Sequence, residues 1–278
     1  MAPTSILFYK DVGHSQEGAQ EVIKLFGDKG VFDGPKPVRL LERLITLGNL
    51  EDDSIVLDFF SGSASTAHAL MKVNAEKGKL CHFILVQLPE QVSDKKKQQG
   101  YKTICEIGKE RIRRAGAKIL AEQKDKQGDL FASQNGESTK KPLDVGFRVL
   151  KLDSTNMEDI YYSPAATDQR NLFNMVDNVK PDRTSEDLLF QVMLELGATL
   201  DSKIEETTVS GKTIYIVADN YLVACFDQDV TDDVVTAIAK MQPMYAVLRD
   251  TSMKTDSTAT NFEQIFKTYS PNTVTKIL

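Results

Sequence analysis

The stretch LDFFSGSASTAHAL, residues 57–70, changes character in its middle and decides the fold. An apolar run that opens at Ile55 closes on Phe60 and gives way to the small residues of positions 61–66. The residues from Ala67 onward then have the composition of a helix. A buried strand, a tight loop and a helix form one step of an α/β sheet, so the chain is predicted to belong to that class.

Bulk properties exclude several classes of protein. With 278 residues, of which 41% are hydrophobic and 27% charged, the chain has the composition of a globular protein with a substantial core. No apolar run approaches the roughly 20 residues that span a bilayer, and the first residues lack the layout of a signal peptide. We therefore expect a cytoplasmic protein with no membrane partner. Three separated cysteines, without a CxxC pair or a Cys/His cluster, predict buried thiols and no metal site.

Two further apolar runs follow the first strand, which is predicted at residues 54–59. The run at 82–88 is continuous rather than alternating, which is typical of a strand covered on both faces of a parallel sheet. A third strand is predicted at 146–152. Helices with apolar residues at helical spacing fall between the strands, at about 65–74 and 101–123. This order predicts a partial doubly wound, Rossmann-like parallel sheet.

Composition divides the chain into three parts. Residues 1–153 hold the elements of the parallel sheet, with a polar stretch at about 123–144 that is predicted to be an exposed, mobile insertion. Residues 154–183 are predicted to be a connector. Residues 184–278 begin with a capping box and continue with a hairpin signal and further strands and helices, so they are predicted to form a smaller α+β domain.

The junction between strand and loop is the strongest indication of a ligand site. A loop of nearly side-chain-free residues lets a ligand approach the backbone, and the helix behind it offers unpaired N–H groups. In open α/β sheets, ligands bind at the carboxyl ends of the strands, where this loop falls. Asp58 favours a cationic or hydroxyl-bearing ligand over a bare phosphate. Because neither GxGxxG nor GxxxxGK[ST] occurs, the sequence does not favour a dinucleotide site or a P-loop.

A basic segment runs from Lys95 to Lys118 and contains few acidic residues. Two interpretations of it stay open. The first is the solvated face of a helix, which is what most surface helices carry. The second is a basic strip that contacts nucleic acid, although the net charge of −6 for the whole chain argues weakly against such a partner.

Residues 58–69, DFFSGSASTAHA, resemble the S-adenosylmethionine-binding motif of amino-group DNA methyltransferases, usually written D-x-F-x-G-S-G-T-T. The preceding FDGPKPVRLLERLI and the following FILVQLPE are similar to the modification (Mod) subunits of type III restriction-modification systems. GFRVLKLDSTN and the ending LRDTSMKTDSTATNFEQIFK resemble the same subunits, so the resemblance extends over nearly the whole chain. It implies an S-adenosylmethionine-dependent DNA adenine-N6 methyltransferase, with double-stranded DNA and possible restriction (Res) subunits as partners.

The resemblance carries binding roles to individual residues. Asp58 and the loop after it would hold the methionine end of the methyl donor, and Lys36-Pro37 would precede a helix that lines the same pocket. Gln87 occupies the position of the carboxylate that usually binds the ribose hydroxyls, so either Glu90 assists or the affinity is modest. The cofactor-binding residues implied in this way are Lys36, Pro37, Asp58, Phe59, Phe60, Ser61, Gly62, Ser63, Ser65, Thr66 and Gln87.

Two residues near the loop receive structural interpretations. Ala64 stands where the family motif has glycine, which argues that this position is not in the left-handed conformation. Ser65 keeps the hydroxyl of the usual threonine. His68 follows in the first turn of the helix, where a packing role is favoured over acid–base chemistry.

The acceptor side of the reaction has no counterpart in the chain. Enzymes that methylate an exocyclic amine carry a D/N/S-P-P-Y/F/W segment, which binds the amine and stacks on a flipped base. No such segment occurs in the sequence, so no catalytic residue is predicted. The chain is expected to be the carboxyl half of a longer enzyme, completed by its N-terminal half or by a homodimer partner. Alone, it is expected to transfer no methyl group, to bind the donor weakly or not at all, and to self-associate.

Two other functions stay open. The chain could be a non-catalytic assembly or dimerisation module of the same restriction-modification system. Alternatively, it could belong to a methyltransferase that recruits the donor in a similar way and acts on RNA or on a small molecule.

Overall fold

The computed structural model describes residues 6–94, 96, 100–130, 143–158, 178–249 and 256–278. Side chains are described throughout these ranges except at 126–130 and 256–260. The chain forms two compact units, Met1–Phe147 and Arg148–Leu278, and each is described by itself.

The first unit alternates helices and strands as the sequence predicts. Its two strands pair in parallel, with Asp58 at the end of one strand opposite Leu85 at the end of the other. The elements in chain order are α1 Tyr9–Val12, α2 Ser15–Phe26, α3 Val38–Leu47, β1 Ile55–Asp58, α4 Ser65–Lys77, β2 His82–Leu85 and α5 Ile104–Leu130.

The predicted third strand at 146–152 is wrong. Residues 143–152 carry no strand, and in the described part of the first unit the parallel sheet consists of β1 and β2. The apolar side chains of Val145 and Phe147 instead pack on the helical cluster around α4 and α5, and Gly116 of α5 leaves the space that Val145 occupies. Val149, Leu150 and Leu152 of the same segment are exposed, so the segment adds no third strand to the sheet and the doubly wound arrangement is not observed.

Within the described residues of the first unit, apolar packing covers one face of the sheet. Val56, Phe83 and Leu85 point inward and pack against buried residues of α3, α4 and α5. The opposite side chains form what we call the outer sheet face, which consists of Ile55, Leu57, Ile84, Val86 and Leu88, each between 50% and 65% exposed. The prediction that residues 82–88 are covered on both faces is therefore wrong. A continuous apolar run does not distinguish burial within one chain from burial against another.

Helix α5 is longer than the sequence predicts. Its described residues extend to Leu130, so residues 123–130 of the predicted insertion are helical. The rest of that insertion, from 131 to 142, lies outside the described residues, as do residues 159–177 of the predicted connector.

The second unit is an α+β module built on a five-stranded sheet of order β3-β4-β5-β6-β7. The pairs β3-β4 and β4-β5 are antiparallel, and the pairs β5-β6 and β6-β7 are parallel. Apolar clusters cover both faces of this sheet. The elements are α6 Ser185–Leu196, β3 Ile204–Val209, β4 Lys212–Val217, β5 Leu222–Cys225, α7 Asp232–Lys240, β6 Tyr245–Leu248, α8 Asp256–Tyr269 and β7 Val274–Ile277.

Local signals of the second unit are confirmed in detail. Thr184 and Asp187 form the predicted capping box at the start of α6. Ser210 and Gly211 both have positive φ between β3 and β4, which gives the turn the twist that a tight hairpin requires. None of the helices in the described part of the chain combines the length and the apolar composition needed to cross a membrane.

Candidate functional site

The loop after β1 closes against the carboxyl ends of both strands. The Val86 N–H donates to the Asp58 carbonyl at 2.9 Å, and the Ser61 N–H donates to the Val86 carbonyl at 3.2 Å. The chain then turns through Gly62, whose φ of +51° suits glycine, and enters α4 at Ser65. The small-residue loop therefore lies at the edge of the sheet where the sequence predicts a ligand site.

Asp58 presents its carboxylate at this edge and fixes the loop with both oxygens. The backbone N–H of Phe60 donates to Oδ1 at 3.2 Å, and the Thr66 hydroxyl donates to Oδ2 at 2.6 Å. One carboxylate thus connects the start of the loop with the first turn of α4. Its remaining acceptor capacity is available to a ligand, since an ionised carboxylate offers about four lone-pair positions.

Gln87 is connected to the same loop from the other strand. Its Oε1 accepts the Gly62 N–H at 2.8 Å, and its Nε2 donates to the neighbouring Leu88 carbonyl at 3.3 Å. The amide therefore holds the loop in addition to any contact with a ligand. Gly62 also faces the Phe32 ring, which a β-carbon at this position would approach to 3.2 Å.

Most of the predicted site residues are brought together at this edge. Asp58, Ser61, Gly62, Thr66 and Gln87 are connected by the hydrogen bonds given above. Phe59 and Phe60 are exposed by 62% and 78%, with ring centroids 5.1 Å apart, so aromatic surface is available beside the loop. Ser63 and Ser65 are buried beneath the loop, with hydroxyl oxygens 3.2 Å apart.

Lys36 and Pro37 lie at the start of α3. Pro37 is buried and is the residue immediately before the helix, whereas Lys36 is exposed. Glu21 of α2 accepts the Val38 N–H at 3.0 Å and so satisfies one of the free donors of the α3 N-terminus. Gly18, one turn earlier in α2, lies so close that an added β-carbon would come within 2.2 Å of the Pro35 carbonyl oxygen. This turn is therefore held tightly against α2.

Arg111 is the residue near the site that the sequence interpretation missed. The sequence places it in the basic segment, for which both interpretations expect exposed side chains, but Arg111 is fully buried, with its guanidinium under the loop. Its Nη1 donates to the Ser63 hydroxyl at 2.8 Å and to the Ser65 hydroxyl at 2.6 Å. The sequence does contain a signal for this burial. Arg111 is four residues from both Ile107 and Ala115, and this spacing places it on the apolar face of the helix.

The rest of the described basic segment is mostly engaged with the chain itself. Arg114 donates to the carbonyls of Leu25 and Phe26 and forms an ion pair with Glu110 at 2.7 Å. Arg113 lies over the Phe147 ring at 5.6 Å. Lys95, Lys97 and their neighbours at 98–99 lie outside the described residues.

His68 is largely buried in α4. Burial, together with the positive charges of Arg111 and two lysines, lowers the pKa of His68 to about 3. The imidazole is therefore neutral near pH 7, which fits the predicted packing role. Among the described residues, no group of three or more His, Cys, Asp or Glu side chains is arranged to hold a metal ion.

Ala64 corrects one prediction from the sequence. Its φ of +59° and ψ of +37° are left-handed, although the replacement of glycine by alanine argued against that conformation. The loop needs a residue in this conformation immediately before α4. The strain of about 1–2 kcal/mol is tolerated because the β-carbon is buried in the cluster between α4 and α5.

Replacing Ala64 with glycine is expected to leave the free energy of unfolding nearly unchanged. Relief of the left-handed strain offsets the lost methyl contact of about 0.8 kcal/mol and the greater freedom of the unfolded chain. Ala67→Gly is the matched control, because Ala67 is buried in the same cluster but helical, and it should cost about 2 kcal/mol. If chemical denaturation shows that both variants lose the same free energy of unfolding, the assigned conformation of Ala64 is contradicted.

Comparison with known proteins matches the first unit to methylases. Residues 5–118 match the family described as DNA methylase (N6_N4_Mtase). The chain is similar to the StyLTI Mod subunit of Salmonella typhimurium, a type III restriction-modification enzyme, with 44% identity over 125 residues, which is 44% of this chain and 19% of that protein.

Two further relatives agree with this match. The EcoPI Mod subunit of Escherichia phage P1 is 39% identical over 112 residues, covering 40% of this chain and 17% of that subunit. The type II methyltransferase M.KpnI of Klebsiella pneumoniae is 35% identical over 74 residues, covering 27% of this chain and 17% of that enzyme. The matched part of the chain thus spans less than a fifth of the length of these relatives, and the resemblance of the last residues to Mod subunits stays a prediction.

Proposed function

We propose that the first unit binds S-adenosylmethionine, because residues 5–118 match the DNA methylase family and the chain is similar to type III Mod subunits. The observation that carries the proposal is the Asp58 carboxylate at the carboxyl end of β1. It is fixed by the Phe60 N–H and the Thr66 hydroxyl beside a loop that two strand ends hold in place. These residues fit the group: a carboxylate suits a cationic amino acid end, and exposed aromatic rings suit a sulfonium or a purine.

The roles proposed for the individual residues follow from their positions. Asp58 would accept hydrogen bonds from the amino group of the donor, and the loop of Phe59, Phe60, Ser61 and Gly62 would contact its methionine portion. Gln87 would meet the ribose hydroxyls, with its amide oriented by the bond from Gly62. Ser63, Ser65 and Thr66 would shape the loop from beneath, and Lys36-Pro37 would contact the donor from the turn that leads into α3, the helix that would line the same pocket.

When bound, the donor would supply an electrophilic methyl group: its S–CH3 bond would break as the bond to the adenine N6 forms, S-adenosylhomocysteine would leave, and N6 would lose one proton to water. This chain would contribute the positioning of the donor. Holding two reactants in the productive geometry can account for much of the rate enhancement of a transfer reaction. Because the sequence contains no D/N/S-P-P-Y/F/W segment, we propose that the residues that hold the adenine come from another polypeptide segment or another subunit. The reaction proposed for the assembled enzyme is DNA adenine-N6 methylation.

The division into domains is also a proposal. Two compact units support a donor-binding part at 1–153, with an insertion at about 123–144, a connector at 154–183 and an α+β domain at 184–278. Double-stranded DNA, a second copy of the chain or a further part of the enzyme, and a Res subunit are the proposed partners. A cytoplasmic location is part of the same proposal, since the proposed substrate is DNA.

Titration calorimetry with S-adenosylmethionine tests the proposal, together with a tritiated-methyl transfer assay on unmethylated DNA. Of the two outcomes that the sequence allows, weak binding or none, the hydrogen-bonded loop favours the first, so we expect measurable but weak heat of donor binding and no methyl transfer by the chain alone. S-adenosylhomocysteine is the matched probe, because it keeps the amino acid and ribose groups and lacks the methyl group. Absence of binding to both compounds would refute the donor site, and robust transfer would refute the missing acceptor side.

The exposed outer sheet face favours a second candidate function, that of an assembly module of the restriction-modification system. This function is compatible with donor binding and is distinguished from it by the titration. A methyltransferase that acts on RNA or a small molecule would also bind the donor. Its complete enzyme would methylate that substrate and not DNA.

Weak, salt-sensitive DNA binding is expected if the exposed part of the basic segment faces the duplex. The side chains concerned are Lys102, Arg113 and Lys118, which are exposed. Replacing all three with alanine should reduce the slope of log affinity against log salt by up to roughly 0.9 per lost phosphate contact. Filter binding over a salt series measures this slope. Binding that is absent at low salt, or that does not respond to salt, would contradict the prediction.

A further inference from the structure

A fully buried arginine lies directly beneath the loop. Arg111 comes from the apolar side of α5, between Ile107 and Ala115, and both of these neighbours are also fully buried. Its Nη1 donates to the hydroxyls of Ser63 and Ser65 at 2.8 and 2.6 Å. The two serines flank Ala64, the strained residue of the loop. One guanidinium nitrogen therefore donates hydrogen bonds to the residues on both sides of the turn into α4.

The charge of Arg111 is costly at this position. Burial lowers the pKa of Arg111 to about 10, so the side chain stays protonated near neutral pH despite its desolvation. Its Nε and Nη2 have no hydrogen-bond partner within the described ranges. An aliphatic side chain would fill the same space without this cost, since buried charges seldom improve stability over apolar residues of similar volume. Packing alone therefore does not explain the arginine.

The nearest acid connects the arginine to the second part of the proposed pocket. Glu21 Oε2 lies 3.9 Å from Arg111 Nη2, and the same carboxylate accepts the Val38 N–H at the start of α3. Burial raises the pKa of Glu21, which is consistent with its position inside the unit. The contacts from the loop to the Lys36-Pro37 turn therefore run through Ser63, Arg111 and Glu21.

We propose that Arg111 is a positioning residue that fixes the donor-binding loop and, with Glu21, sets the loop relative to the Lys36-Pro37 turn. The residue acts through Ser63 and Ser65 and does not touch the ligand. The effect on donor binding rests on the proposed function, whereas the effect on the loop does not. A specific role of Arg111 in fixing the loop can be separated from a general role in stabilising the fold. Arg114 on the same helix provides the comparison, because it donates to carbonyls at the end of α2 and not to the loop.

Hydrogen exchange of the ligand-free chain tests the positioning directly. The Gly62 N–H, which donates to Gln87, and the Ala64 N–H, which donates to the Ser61 carbonyl, report the closed loop. In Arg111→Met, both amides should exchange roughly tenfold to a hundredfold faster, which corresponds to loss of hydrogen bonds from a charged group. Arg111→Lys keeps a cation that can reach the serines, so it should restore a large part of the protection.

Arg114→Met is the matched control, since it removes a partly buried arginine of α5 that has no bond to the loop. It should lower the overall stability without selectively accelerating Gly62 and Ala64. Equal acceleration in the Arg111→Met and Arg114→Met variants, or none in either, would overturn the proposal. If Arg111→Met does not fold, the Ser63→Ala/Ser65→Ala double variant replaces it and should show the same selective acceleration.

Donor titration of the same variants separates the two proposals. Weaker S-adenosylmethionine binding in Arg111→Met, recovered in Arg111→Lys, supports positioning for the donor. If the unmodified chain binds no donor while the exchange results are as expected, the proposed function fails and the loop-fixing role of Arg111 stands. If the donor binds equally well to the wild type and Arg111→Met, the link from loop to donor is refuted.

Discussion

Replacing Asp58 with alanine is expected to weaken S-adenosylmethionine binding by at least roughly a hundredfold, which corresponds to loss of hydrogen bonds to a charged acceptor. The substitution removes the proposed partner of the donor's amino group. It also frees the Phe60 N–H and the Thr66 hydroxyl, both of which donate to this carboxylate. Calorimetric titration measures the loss, and Asp58→Asn should fall between the wild type and the alanine variant because it keeps one acceptor oxygen.

The control for this prediction is the substitution of an aspartate just before the start of β1, whereas Asp58 lies at the end of that strand. Asp52 precedes β1, and its carboxylate accepts one backbone hydrogen bond, from the Leu80 N–H at 3.3 Å. Asp52→Ala removes the same type of side chain far from the loop and should leave donor affinity unchanged. Equal weakening by both substitutions would mean that Asp58 acts through general stability, and unchanged binding in Asp58→Ala would remove it from the site.

Self-association of the isolated chain is the second large effect. The outer sheet face exposes apolar side chains on neighbouring strands, with Leu57 directly opposite Ile84 in the register. Contiguous apolar patches of this kind usually mark an interaction surface. Leu57→Lys/Ile84→Lys should raise the dissociation constant of the self-associated form by at least roughly a hundredfold, because two buried apolar side chains contribute about 3–6 kcal/mol.

Sedimentation over a concentration series measures this change. Leu194→Lys is the control, since Leu194 is 63% exposed on the second unit and has no part in the outer sheet face. That variant should associate like the wild type. A wild-type chain that stays monomeric throughout the series, or a double variant that associates as strongly as the wild type, would show that this face is not the contact.

The sequence predicts those features of the fold that depend on local chemistry. The strand that ends at Asp58, the capping box at Thr184 and the tight turn at Ser210-Gly211 follow from residue types over a few positions, and the parallel pair follows from the order of strands and helices; each is confirmed. The site edge was predictable for the same reason, because a strand end, small residues and a helix start are adjacent in the chain.

The features that the sequence did not predict depend on distant partners. Val145 and Phe147 pack on helices instead of pairing as part of a strand, and nothing local distinguishes these two ways of burying them. Ala64 is left-handed because the surrounding cluster holds it so, against its intrinsic preference. Arg111 resembled its charged surface neighbours in sequence, and its burial becomes evident only when its helical phase is compared with that of Ile107 and Ala115.

The large sequence separation between Arg111 and its two serine partners also implies an order of events during folding. The contacts of Asp58 with Phe60 and Thr66 span 2 and 8 residues, whereas those of Arg111 with Ser63 and Ser65 span 48 and 46. Short loops close at a lower entropic cost than long ones. On a growing polypeptide, the turn after β1 can therefore form as soon as α4 has emerged, but its two serines receive their guanidinium only after most of α5 has been synthesised and has docked.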